Sequence, residues 1–175
     1  NIPANADGDR IEGNLIAFNG GAGVRIPTPF SSGNDPGIRI SIRNNLIFHN
    51  TSLGIDLGNE GRTQNDDKDP DTGPNELQNF PALISAASAL VTPASAGTIS
   101  PTVAANINGT FNSTPNATFS IDLYFGSNCP AQGSQFIGAI PIFLGSIQVM
   151  TDSNGNAPFT FAFELPSATS GGWVN

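Results

Sequence analysis

The run NLIAFNGGAGVRI, Asn14 to Ile26, returns 31 positions later as NLIFHNTSLGIDL, Asn45 to Leu57. Asn14 answers to Asn45, Leu15 to Leu46, Ile16 to Ile47, Asn19 to Asn50 and Gly23 to Gly54. Val24 then answers to Ile55, Ile26 to Leu57 and, upstream, Ile11 to Ile42. A unit repeated at this spacing cannot bury its apolar face alone, so successive copies must stack and cover one another.

Helix is excluded for the unit, because the glycines at 20, 21 and 23 would each cost roughly 1 kcal/mol against alanine. In Val24-Arg25-Ile26 and Ile55-Asp56-Leu57 apolar residues alternate with a charge, the period of a strand with one buried face. Asn45-Leu46-Ile47 reads as a further short strand, with a turn from Asn50 to Gly54. Matched strands in consecutive units pair in parallel as solenoid windings rather than as hairpins. Asn14 over Asn45 and Asn19 over Asn50 are expected to form a structural amide ladder, each bond worth roughly 0.5–1.5 kcal/mol. Gly23 and Gly54 are expected at turn positions that require positive φ.

The pattern N-x-I-x-x-N-x-x-x-G-[VI]-x-[IL], spread over Ile11 to Leu57, resembles the right-handed parallel β-helix repeat of secreted bacterial surface proteins and pectate-lyase-like polysaccharide enzymes. The resemblance implies a fold; the same windings carry enzymes, adhesins and passive stalks, so it implies no one activity.

Charged residues make up only 11% of the 175, which with 20 Gly and 14 Pro describes a turn-rich all-β chain. A net charge of −8 with 6 scattered basic residues offers no phosphate-tracking surface and no electrostatic hold on anionic lipid. No stretch is apolar enough to insert into a membrane. Cys129 stands alone, which excludes an internal disulfide and a zinc cluster. The acidic surface suits an extracellular setting and divalent cations.

Three regions follow along the chain: 1–58 a parallel β-helix segment, 59–82 an acidic linker, and 83–175 an antiparallel β-sandwich. The turn cluster Asn5 to Asp9 looks like the end of a preceding winding, as if the chain began inside a longer solenoid of which roughly two to three windings are present. Pro27 to Gly37 reads as an inserted loop. Beyond the linker, strand-like runs cover Leu83 to Val91, Thr102 to Phe111, Ala117 to Gly126, Phe136 to Met150 and Ala157 to Leu165. Turn signals at Asn112 to Asn116 and Asp152 to Asn156 separate them, an arrangement that reads as loosely immunoglobulin-like. The phrases GIDLGNEG, DTGPNELQNFPAL, INGTF, FSIDLYFGSNC and VMTDSNGNAPFTF resemble sandwich modules that follow β-helix repeats in large secreted bacterial proteins. In such modules a further strand follows the Gly-Gly turn; here Trp173 to Asn175 is only part of one, so an open sheet edge is expected that could accept a strand from another chain.

Asn65, Asp67, Asp69, Asp71, Gly73 and Asn75 fall at alternate positions of the linker. Alternating oxygen donors on a looped segment converge on a hard cation, so Asn65, Asp67, Asp69, Asp71 and Asn75 are candidate ligands of a structural calcium, with Glu60, Asp66 and Glu76 able to complete the shell. Arg25 lies level with Asp56 in the next unit, most simply as an exposed ion pair worth about 0–1 kcal/mol. With Asp9 and Glu12 it is too thin a set for a polysaccharide hydrolase or lyase, and no catalytic residue is assigned. His49 aligns with Phe18, which makes it an aromatic packing residue. Asn50, Asn108, Asn112 and Asn116 match the glycosylation acceptor pattern.

The expectation is therefore a non-enzymatic extracellular structural or adhesive module on the cell surface that self-associates by β-helix stacking or strand donation. The alternative is a polysaccharide-binding or polysaccharide-degrading protein using the groove beside Arg25, Asp56 and the Pro27 to Gly37 loop.

Overall fold

In the first 58 residues, strands only three residues long alternate with corners. The computed structural model describes residues 8–28, 37–58, 61–91, 102–126, 141–166 and 173–174. Cys129, Glu60, Asn5 to Asp7, Gly171, Gly172, Asn175 and most of the Pro27 to Gly37 loop lie outside the described residues. The regular elements of the described residues are all β-strands apart from one short 3-10 turn, and no helix is long and apolar enough to cross a membrane.

The first pass of the chain contains β1 (Arg10–Glu12), β2 (Leu15–Ala17) and β3 (Val24–Ile26), and the second β4 (Ser41–Arg43), β5 (Leu46–Phe48) and β6 (Ile55–Leu57). Each strand pairs in parallel with its counterpart, Ile11 beside Ile42, Ile16 beside Ile47 and Val24 beside Ile55. Corners recur at the same offset: Gly8, Gly13 and Phe18 in the first pass and Arg39, Asn44 and His49 in the second all have φ between 52 and 71. A left-handed residue every fifth position turns the chain, at a cost of order 1–2 kcal/mol where it is not glycine. The Phe18 and His49 rings stack over their corner with centroids 5.2 Å apart and planes 4° from parallel. Ile26 and Ile40 are buried between the passes with Ile42 and Leu57 packed on them.

Gly23 and Gly54 correct the expectation made for them, since neither has positive φ. Gly23 is required by closeness instead: a Cβ there would lie 2.5 Å from Ile47 Cγ2 and 2.8 Å from the Gly54 carbonyl oxygen. At Gly54 the nearest atom, Ile47 Cγ2, would be an ordinary 3.6 Å away. The alternation of β6 is also inverted, with Ile55 42% exposed and Asp56 2% exposed. Ile55 borders an open crevice on the side of the second pass that has no third strand beside it among the described residues.

The remainder forms two three-stranded antiparallel sheets. One is ordered β11 (Asn156–Pro166), β8 (Thr102–Asn112), β7 (Ala82–Val91); the other β10 (Ile142–Met150), β9 (Thr118–Gly126), β12 (Trp173–Val174). Ile107 and Phe111 of β8, Ile121 and Leu123 of β9, Val149 of β10 and Phe159 of β11 form one buried cluster drawn from both sheets. A side chain as enclosed as Leu123 contributes roughly 1.5–3 kcal/mol relative to exposure. The apolar face of the alternating run Phe159 to Phe163 points into this cluster, with Phe161 and Phe163 packed at its margin.

Candidate functional site

The acidic segment is not a solvated tether, because three of its asparagines imitate a strand neighbour. Asn65 accepts from the Phe80 N–H and donates to the Phe80 carbonyl (2.9 and 2.7 Å). Asn75 does the same to Ile40 of the second pass (2.8 and 3.1 Å), and buried Asn79 to Asp66 (3.1 and 2.8 Å). A carboxamide presents one donor and one acceptor in the spacing of a peptide group, so it satisfies backbone that no strand reaches.

The outer edge of the second pass is met by β9. Asp122 accepts from Arg43 Nε at 3.0 Å, from the Asn44 backbone N–H at 2.8 Å and from Ser146 Oγ at 2.6 Å. Burial pushes the Asp122 carboxyl up, but these donors outweigh it and hold the group below the ordinary carboxylate range. The hydrogen bond to Asp122 likewise raises Arg43. Tyr124, two residues along β9, is pushed up to about 12 by burial and by Asp122, while the Asn45 backbone N–H directed at its hydroxyl pulls the other way. A backbone donor and a side chain of the second pass thus end on one carboxylate of the other half. A crevice of about 620 Å³ remains beside this contact, walled by Ile42, Ile55, Leu57, Phe80 and Phe119. Thr63 also lines it, and its buried hydroxyl lacks a partner among the described residues.

No protein-family model matches this chain, and no curated protein matches it either. Its chemistry therefore rests on its own geometry.

The candidate calcium ligands are brought together only in part. Ligand oxygens of Asp66, Asp69 and Asp71 lie within 4.8 Å of one another, and one buried Asp66 oxygen, Oδ1, has no hydrogen-bond partner among the described residues. Asp71 is pushed up by desolvation and by the charges of Asp66 and Asp69. Asn65 and Asn75 are committed to Phe80 and Ile40, and Asp67 is not in the cluster, so alternation in sequence does not become convergence in space. Asp69 is already engaged by the Asn79 N–H at 3.2 Å and by Ser113 Oγ.

In the amide ladder, Asn14 Nδ2 donates to Asn45 Oδ1 at 3.1 Å and Asn19 Nδ2 to Asn50 Oδ1 at 2.7 Å. Asn45 and Asn50 pass their own amides on to the carbonyls of Ile11 and Ile16. That bond and 5% exposure leave Asn50 no room for a glycan, which corrects its reading as an acceptor. Asn108 bonds Ser85 and Thr160, Asn112 bonds Asn156 and Lys68, and Asn116 is exposed at its turn. Arg25 does reach Asp56, Nε to Oδ2 at 2.9 Å, but the pair is not an exposed one: Asp56 is buried and its Oδ1 has no partner among the described residues.

Asp122 and Ser146 were not legible as a site. The run Thr118 to Phe125 shows Asp122 as a charge on the outward face, and period two says nothing of what stands opposite it.

Proposed function

We propose that this chain is an extracellular structural and adhesive module in which the end of a right-handed parallel β-helix is closed by an Ig-like β-sandwich. The observation that carries the reading is the pair of bonds from Asn44 and Arg43 to Asp122, supported by Asn75 on Ile40. Unpaired strand edges recruit further strands, and a carboxylate and a carboxamide here meet the donors that a further winding would otherwise take. The sandwich is thus a cap, and self-association by β-helix stacking is confined to the upstream edge of β1 to β3, where Leu15 and Phe18 are 62% and 79% exposed. Calcium, where it binds, is held by Asp66, Asp69 and Asp71 as a clamp on the connecting segment.

A polysaccharide-degrading reading draws no support from Arg25 and Asp56, since the arginine is spent on a buried carboxylate. Incubation with pectin, alginate and related polymers, with and without calcium, is expected to release no product. Product release that disappears in Arg25→Ala would overturn the structural reading. Sedimentation across a concentration series tests the stacking surface: association should weaken in Leu15→Ser/Phe18→Ser and persist in Asp122→Asn.

A further inference from the structure

The crevice between the second pass, the acidic segment and β9 has apolar walls that are anchored on both sides. Ile42 and Leu57 pack on the core between the passes. Phe119 packs on the cluster between the two sheets, where it meets Phe111 edge-on with centroids 4.9 Å apart. Walls held by two separate cores do not close on one another. The space of about 620 Å³ is therefore preformed, and it is of the size that takes a small organic molecule. Ile55, 42% exposed, is an apolar side chain that such a molecule would cover.

Charge narrows the class of molecule. Among the described residues that line the crevice two are arginines and none is Asp or Glu, in a chain with 14 acidic and 6 basic residues. Arg43 is spent on Asp122. Arg62 is not spent: it is exposed, its guanidinium carbon lies over the Phe80 ring 4.3 Å from the centroid, and no acceptor among the described residues bonds it. A cation–π contact is made by the charge and the ring face, so the N–H fork stays open to a carboxylate. The ring beneath is itself positioned, because Asn65 holds both backbone polar groups of Phe80 at 2.9 and 2.7 Å.

We propose that this crevice binds a small organic acid with an apolar body. Its carboxylate would take the open fork of Arg62, and its hydrophobic part would lie against Ile42, Ile55, Leu57 and Phe119. A neutral molecule of the same shape would forgo the charge-assisted bonds. A sugar acid would keep them but would set its hydroxyls against walls that are mainly aliphatic and aromatic. The site goes beyond the capping reading and does not depend on what the windings associate with.

The test is calorimetric titration of the whole chain with naphthoate at low ionic strength, where an exposed charge contact is least screened. Saturable binding is expected, with naphthalenemethanol and glucuronate each weaker by about tenfold or more. Arg62→Gln should weaken naphthoate by about tenfold, to the level of the neutral alcohol. Ile55→Glu, which puts a carboxylate into the crevice, should abolish binding. Both side chains are exposed, so neither substitution should move the melting temperature much, and a loss of binding then reads the site and not the fold. Absence of saturable binding overturns the proposal, as does glucuronate or the alcohol binding as tightly as naphthoate. Naphthoate binding that is unmoved by Arg62→Gln and Ile55→Glu places it elsewhere on the chain and overturns the proposal as well.

Discussion

Asp122 closes the edge of a sheet to which it does not belong, receiving the Asn44 backbone N–H at 2.8 Å and Arg43 Nε at 3.0 Å. Asp122→Ala leaves that N–H and a half-buried guanidinium without their acceptor. A loss of roughly 2–4 kcal/mol in urea unfolding is expected, larger than for an exposed ion pair. The carboxyl is held below its ordinary range in the folded state, so the unfolded chain takes up the proton first. Its contribution is therefore present above about pH 4 and lost as pH falls through the folded value. Stability measured from pH 7 downward should show an acid limb that is shallower in Asp122→Asn. A limb of unchanged slope would remove Asp122 from the joint.

Tyr124 makes the opposite prediction at the other end of the scale. Its hydroxyl is pushed up to about 12, so the folded chain keeps a proton that the unfolded chain loses near pH 10. Stability should hold below about pH 10 and fall between there and about pH 12. Tyr124→Phe removes this alkaline step. Spectrophotometric titration of the single tyrosine reads the ionisation directly, and a midpoint near 10 in the folded protein would contradict the burial argument.

What the sequence made legible is what repeats. Asn14 and Asn45 name each other at 31 residues, and with them come the parallel register, the amide ladder and the aromatic slot shared by Phe18 and His49. Period-two runs likewise place β9 and β11 to within a residue or so of their ends. The corners were less visible. Left-handed backbone at Phe18, Arg39 and His49 is carried by residue types that give no turn signal, and at Phe18 and His49 the stacked rings offset the strain. The joint was not legible at all, because Arg43 and Asp122 are 79 residues apart and unrelated by the repeat. The asparagines of the acidic segment misled for a related reason. A carboxamide is equally suited to a cation and to a peptide group, and only the fold determines which one Asn65 and Asn75 meet.

The two repeat glycines should differ sharply, although the sequence treats them alike. Gly23→Ala drives a methyl group to 2.5 Å from Ile47 Cγ2 and 2.8 Å from a backbone oxygen that cannot step aside. A cost of about 1–3 kcal/mol or more is expected from that overlap. Gly54→Ala meets nothing closer than 3.6 Å and should be near neutral. Denaturant midpoints of the two variants decide the matter. Equal losses would mean that backbone freedom, and not closeness, is what position 23 requires.

The carboxylates at 66, 69 and 71 give the last prediction. Their ligand oxygens crowd within 4.8 Å, Asp71 is pushed up by desolvation and by its neighbours, and Asp66 Oδ1 is buried without a donor among the described residues. Like charges at that spacing oppose folding until a cation sits among them. Titrating calcium into chelator-treated protein should raise the melting temperature to a plateau, and EDTA should reverse it. Asp71→Asn should abolish the response while leaving the calcium-free protein as stable as before or more so, because one of the repelling charges is gone. Asp67→Asn separates the spatial set from the alternating sequence set, since Asp67 stands outside the trio and its loss should leave the response intact. A response that vanishes in Asp67→Asn and survives in Asp66→Asn, Asp66 belonging to the trio and not to the alternating set, would restore the alternating ligands and displace the trio.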